Sequence, residues 1–201
     1  MMLRNIFYAF SLIFILAACS DIKLTPLSSD ATILAFGDSL THGVGGGKGN
    51  DYPKVLSELT GLKVINAGIS GETTEGGLKR FESVLTDSSA DLIILMEGGN
   101  DILRNKNLEQ TKQNLSRMIE IAQNQGVEVI LIGVPQKQLF SDSAPFYREL
   151  AEEHQLVFDG ETLSGLLRSQ QYKSDPIHLN AAGYRKFAER IHESLIEQGA
   201  L

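Results

Sequence analysis

Four short apolar runs constrain the fold of this chain more than any other feature: residues 32–36, 62–65, 92–96 and 127–132, each bounded by Gly, Asp or Asn. Runs of this length without polar alternation are what strands buried on both faces of a parallel sheet require. A weaker fifth run lies at 156–158. Between the runs the apolar period changes to that of a helix. Leu108, Leu115, Met118, Ile119 and Ala122 recur on one face, as do Tyr184, Phe187, Ala188, Ile191 and Leu195 after the N-cap candidate Asn180. Alternation of this kind predicts a doubly wound α/β fold: a parallel sheet of about five strands between two layers of helices. A chain of 201 residues, 42% hydrophobic, is enough for one such core.

Three motifs stand far apart on this frame in a fixed order: Gly37-Asp38-Ser39-Leu40, Gly98-Gly99-Asn100-Asp101 and Asp175-Pro176-Ile177-His178. A serine hydroxyl is a poor nucleophile at neutral pH. It needs a base to take its proton and a third group to hold that base in one tautomer. Ser39, His178 and Asp175 fit those roles. The tetrahedral intermediate of acyl transfer also needs donors aimed at its oxyanion, and Asn100, between glycines and an acid after an apolar run, suits that task. Asp38 and Asp101 are expected to organise turns around the site.

On these residues the chain resembles the SGNH hydrolases, also called GDSL esterases and lipases, over roughly residues 31–198. The block Asn66-Ala67-Gly68-Ile69-Ser70-Gly71-Glu72-Thr73-Thr74 resembles the stretch that carries the family's oxyanion glycine, which the resemblance assigns to Gly68. It implies a flavodoxin-like three-layer fold, a cofactor-free and metal-free serine esterase, and a likeness to the small bacterial thioesterase, lysophospholipase and arylesterase branch. Ser39, Gly68 and Asn100 each follow a predicted strand. Ligands of open parallel sheets bind beyond the carboxyl ends of the strands, so motifs and fold rule point to one edge. Implied substrates are aryl esters, acyl thioesters and lysophospholipids, with carbohydrate O-acetylesters as the alternative. Phe140, Phe146 and Tyr147 are candidates for the apolar acyl wall, or for packing of a surface helix.

The N-terminus reads as targeting. Arg4 precedes an apolar stretch at 6–18, shorter than the roughly 20 residues a membrane-spanning helix needs. Residues 1–18 are therefore expected to be a signal peptide. Its end, Leu16-Ala17-Ala18-Cys19, resembles the bacterial lipobox, and Cys19 is the single cysteine of the chain. Lipidation there would anchor the protein in the bacterial envelope, with Ser20 suggesting the outer membrane facing the periplasm. Residues 19–30, polar and without apolar period, are expected to be a tether, and 31–201 the hydrolase domain. Extended, the eleven residues from Ser20 to Asp30 would reach about 36–40 Å.

Other readings of the same residues are weaker. A net charge of −7 without a basic run offers no footprint for nucleic acid. Around Ser70 the elbow pattern G-x-S-x-G fails at Glu72. Gly43, Gly45, Gly46, Gly47 and Gly49 do not complete a phosphate loop and are expected to form a mobile loop beside Ser39. His42 is expected at the rim of the site; His154 and His192 are expected on solvated helix surfaces. A metal cluster drawn from Asp38, Asn100, Asp101, Asp175 and His178 lacks the imidazoles such sites usually have. A non-catalytic acyl-binding protein would have no use for the complete set of reactive groups.

Overall fold

The computed structural model describes residues 22–136 and 142–201. Residues 1–18, expected to be a signal peptide, together with Cys19 and Phe140 lie outside them. In chain order the elements are β1 (Thr32–Gly37), α1 (Ser39–His42), α2 (Tyr52–Thr60), β2 (Lys63–Gly68), α3 (Thr74–Ser88), β3 (Leu92–Met96) and α4 (Gly99–Leu103). They continue as α5 (Leu108–Asn124), β4 (Glu128–Ile132), α6 (Pro145–His154), β5 (Val157–Asp159), α7 (Thr162–Arg168) and α8 (Ala181–Glu197).

The five strands are all parallel, in the order β2-β1-β3-β4-β5. From β1 the chain first winds outward to β2, then crosses back to β3 and onward, so the winding reverses between β1 and β3. A crevice opens at such a reversal, beyond the carboxyl ends of the strands. Register aligns Gly37 of β1 with Gly68 of β2 and with Met96 of β3, which brings the segments after these strands to one edge.

β1 and β3 are buried along their whole length. β2 differs from expectation: it is only partly buried because it is the outer strand of the sheet, and it continues through Asn66, Ala67 and Gly68 beyond the apolar run. Helices α2 and α8 pack together, as do α3 with α5 and α5 with α6, forming the outer layers. Edge-to-face ring pairs fix one contact in each layer. Phe36 meets Phe81 at 4.9 Å between centroids, and Tyr52 meets Phe187 at 5.0 Å.

The described part of the stretch expected to be a tether, residues 22–30, is docked. The Leu24 N–H donates to Gln198 O at 2.9 Å, the Leu27 N–H to Ala200 O at 2.8 Å and Lys23 Nζ to Glu197 O at 2.8 Å. The Thr25 N–H donates to Glu128 Oε2 at 2.9 Å, and Leu24 is only 7% exposed within the core. Two leucines at three-residue spacing are too few to show as an apolar period, yet they suffice to hold an extended segment when backbone partners wait at the end of α8. Residues from Lys23 on therefore pack as part of the folded unit. Replacing Leu24 by Ala should lower unfolding free energy by about 2–3 kcal/mol, the usual scale for a buried leucine. A denaturant midpoint unchanged from the parent would show that the segment contributes nothing.

Candidate active site

β1 delivers the serine. A Cβ at Gly37 would overlap the Met96 carbonyl oxygen and Thr41 Oγ1, so only glycine lets β1 run this close to β3. Asp38 then caps α1, its Oδ1 accepting from the Leu40 N–H at 3.0 Å. Ser39 is the first residue of α1. His178 arrives from the other end of the chain, on the loop before α8. Ser39 Oγ lies 3.0 Å from His178 Nε2, and His178 Nδ1 lies 2.8 Å from Asp175 Oδ2. The carboxylate beside Nδ1 assigns the ring proton to that nitrogen and leaves Nε2 free to accept from the hydroxyl.

The Asp175–His178 loop is built by its own acid. Asp175 Oδ1 accepts the N–H groups of Ile177 and His178, both at 2.9 Å, while Oδ2 takes the ring. Partial desolvation works to raise the Asp175 pKa, but the hydrogen bonds from the His178 ring and the Ile177 N–H hold its carboxyl below the usual range. An antiparallel bridge between Lys173 and Leu179 closes the loop, and Asn180 caps α8 through the Gly183 N–H at 2.9 Å. The loop is steadied from the side of Ser39 by the glycine-rich segment. A Cβ at Gly45 would overlap Ser174 Oγ, and Tyr184 Oη donates to Val44 O at 2.7 Å. Gly45 here serves close packing between the two halves of the site, whereas a Cβ at Gly49 would meet nothing within 4 Å.

Asn100 stands in the first turn of α4. Gly98, at φ 107°, has Tyr147 Oη where a Cβ would be, and Asp38 Oδ2 lies 3.0 Å from a Cβ position at Gly99. The two glycines let the chain thread between these groups. Asn100 Nδ2 donates to Asp38 Oδ2 at 3.2 Å, which orients the amide beside Ser39. Asp101 turns the other way: it accepts the Thr74 N–H at 2.8 Å and Thr74 Oγ1 at 2.9 Å, tying α4 to α3. Burial pushes the Asp38 carboxyl up to about 6 against the lowering effect of its hydrogen bond from Leu40. Glu97, fully buried between them, is held well above the usual range by burial and then by the charge of Asp38. One of its oxygens accepts the Gly98 N–H at 3.0 Å; the other has no partner among the described residues.

Gly68 does not join this group. Its N–H is already satisfied by Asn66 Oδ1 at 2.9 Å. Its lack of a side chain lets β2 approach α1, because a Cβ would overlap the His42 backbone nitrogen. His42 is exposed at that junction, its Nδ1 lying 3.2 Å from Gly68 O. Sequence reasoning also missed Arg80 and Glu72. Arg80 pairs with Glu72, donates to Ala67 O at 2.9 Å and covers the Phe36 ring at 4.0 Å, bracing the ends of β1 and β2. Eight residues apart and split between a loop and α3, the pair has no helical spacing to reveal it.

Ser39, Asn100 and His178 open into a cleft of about 430 Å³. Its apolar wall comes from Leu40, Ile102, Leu103, Val134, Leu167 and Ile177. Phe146 and Tyr147 are absent from that wall. Both are buried in the core, and Tyr147 Oη donates to Glu97 O at 2.6 Å, so α6 turns its aromatic face toward the sheet. Of the other histidines, His154 is partly buried with Nε2 2.8 Å from Ser116 Oγ, and His192 is partly buried on α8.

The Asp38 carboxyl makes a checkable contribution to stability. Its folded pKa of about 6 lies above the ordinary 3.8, so folding favours the protonated form. That stability is fully present below the ordinary value and is lost as pH rises through the folded one. Asp175, displaced in the opposite sense, acts below this window. Thermal melts between the two values should show Asp38→Asn, which keeps the cap, falling less with pH than the parent. Parallel slopes would mean that folding does not raise the Asp38 pKa.

Residues 35–186 match the GDSL-like Lipase/Acylhydrolase family, a span that includes Ser39, Asn100, Asp175 and His178. Esterase TesA of Pseudomonas aeruginosa is 32% identical over 133 residues, covering 64% of this chain and 65% of that protein. The matched stretch thus spans just under two thirds of that relative. The arylesterase of Vibrio mimicus is 28% identical over 176 residues, covering 82% of this chain and 88% of its own length. The crystal structure of TesA superposes with a TM-score of 0.73 at 27% identity, over 83% of this chain and 99% of that one. With its serine, asparagine and histidine segments all inside the family match, and with the five-stranded parallel sheet beneath them, the chain belongs to the GDSL-like lipase/acylhydrolase, or SGNH, family.

Proposed function

We propose that this protein is a serine esterase that hydrolyses carboxylic esters or thioesters through an acyl-enzyme. The carrying observation is the continuous chain from Ser39 Oγ to His178 Nε2 at 3.0 Å and from His178 Nδ1 to Asp175 Oδ2 at 2.8 Å, facing a largely apolar cleft. His178 takes the Ser39 proton as Oγ attacks the carbonyl carbon, then returns it to the leaving alcohol or thiol. Water, deprotonated by the same imidazole, attacks the acyl-enzyme and releases the acid with Ser39 restored.

Oxyanion donors on this reading are the Ser39 N–H, the Asn100 side-chain amide and one N–H from the loop after β2. With the Gly68 N–H engaged by Asn66, the loop donor falls to Gly71, at φ 79° and with no acceptor for its N–H among the described residues. Ser39→Ala should leave a folded protein with turnover near background. Asn100→Ala should cost about 2.7–4 kcal/mol of transition-state stabilisation, a kcat drop of roughly 10²–10³. Both are read with p-nitrophenyl butyrate; most activity surviving in Ser39→Ala would remove that residue from the role.

The apolar wall favours acyl esters, aryl esters, acyl thioesters and lysophospholipids over acetylated sugars, whose hydroxyls would meet Leu103, Val134 and Leu167 unpaired. A p-nitrophenyl series from acetate to palmitate, run beside lysophospholipid and acetylated sugar, should peak at a short-to-medium chain. Replacing Leu167 by Trp should move that peak to shorter chains. Activity confined to acetylated sugar would overturn the preference. The same proposal holds that the chain is cleaved before Cys19 and anchored through lipid on that residue in a bacterial envelope, its cleft in the periplasm.

A further inference from the structure

Resting on the lipid-anchor reading above, we infer that the anchored enzyme presents the amino edge of its sheet to the bilayer that carries it and holds its cleft on the far side. The observation is where the N-terminal segment is fastened. Thr25 bonds the side chain of Glu128, the first residue of β4, while Leu24 and Leu27 bond the carbonyls of Gln198 and Ala200, just past α8. Directly afterwards the chain enters β1, whose Thr32 N–H donates to Asp91 Oδ2 at 2.8 Å, one residue before β3. All of these partners sit at the amino ends of the strands.

Ser39, Asn100 and His178 sit at the opposite end. β1 runs six residues from Thr32 to Gly37, which at roughly 3.3 Å per residue separates the two edges by about 20 Å. An undocked tether from Ser20 would reach about 36–40 Å and would let the domain turn its cleft to the surface. With Lys23 already bonded to Glu197, the connection from Cys19 to it is four Cα steps, at most about 13–14 Å whatever its conformation. That is shorter than the sheet it would have to pass. Esters embedded in the anchoring bilayer therefore lie out of reach of Ser39 while the segment stays docked. The accessible substrates are acyl esters that arrive through the aqueous phase, singly or in micelles, or that are presented by a facing surface.

The test is energy transfer from the protein to acceptor-labelled lipid, using the lipidated full chain reconstituted in phosphatidylethanolamine–phosphatidylglycerol vesicles. One variant carries a donor dye at Gln125→Cys, exposed beside the start of β4; the other carries it at Ile177→Cys, exposed at 42% on the cleft. Neither readout needs catalysis. Transfer several-fold more efficient from position 125 than from position 177 is expected. Equal or reversed efficiencies, with the parent chain floating with vesicles and Cys19→Ser failing to float, would overturn the orientation alone. A parent chain that does not float overturns the anchor and the orientation together. Turnover of a water-soluble ester, measured separately, bears on the esterase reading and on neither of these.

Discussion

The close passage of β1 against β3 is the constraint on which the site depends. Gly37 has no room for a side chain because the Met96 carbonyl oxygen and Thr41 Oγ1 occupy its place. That contact sets the height at which β1 ends, and with it the position of Asp38 and Ser39 relative to the turn that follows β3. Asn100 can then reach Asp38, and His178 can reach Ser39 from a loop that is distant in the chain. A wider spacing would break the amide–carboxylate bond between Asn100 and Asp38.

Charge around this junction is arranged by burial. Asp38 and Glu97 lie deep in the sheet's end and are pushed toward the neutral form, while Asp175, nearer solvent and holding three donors, is kept ionised. The separation is useful. An ionised acid stands where an imidazolium would need a partner, and the buried acids spend their oxygens on the N-cap of α1, the Asn100 amide and the Gly98 N–H. Asp101 is equally buried but fully engaged by Thr74, so it stitches helices together.

The docked N-terminal segment changes how the two ends of the sheet are used. One edge holds the chemistry because loops converge there at the winding reversal. The other holds the chain's entry, because α8 runs back from the His178 loop and ends beside the first residues of β4. The helix that begins next to His178 thus finishes at the point where the N-terminal segment is secured. Nothing in residues 20–30 read alone distinguishes this from a loose spacer.

What the sequence by itself determined was the alternation of strands and helices, the parallel sheet, the edge that carries the motifs, and the choice of Ser39, Asn100, Asp175 and His178 as candidates for the site. These follow from apolar period and from the residue types that acyl transfer demands, and both are local signals. The partner of the Gly68 N–H, the bracing of the strand ends by Arg80 and Glu72, the burial of Phe146 and Tyr147, the packing use of the glycine loop and the docking of Leu24 were decided only by the tertiary structure. Each depends on which groups distant in the chain come within a few ångströms of one another. Residue order does not encode that distance until the sheet has closed around it.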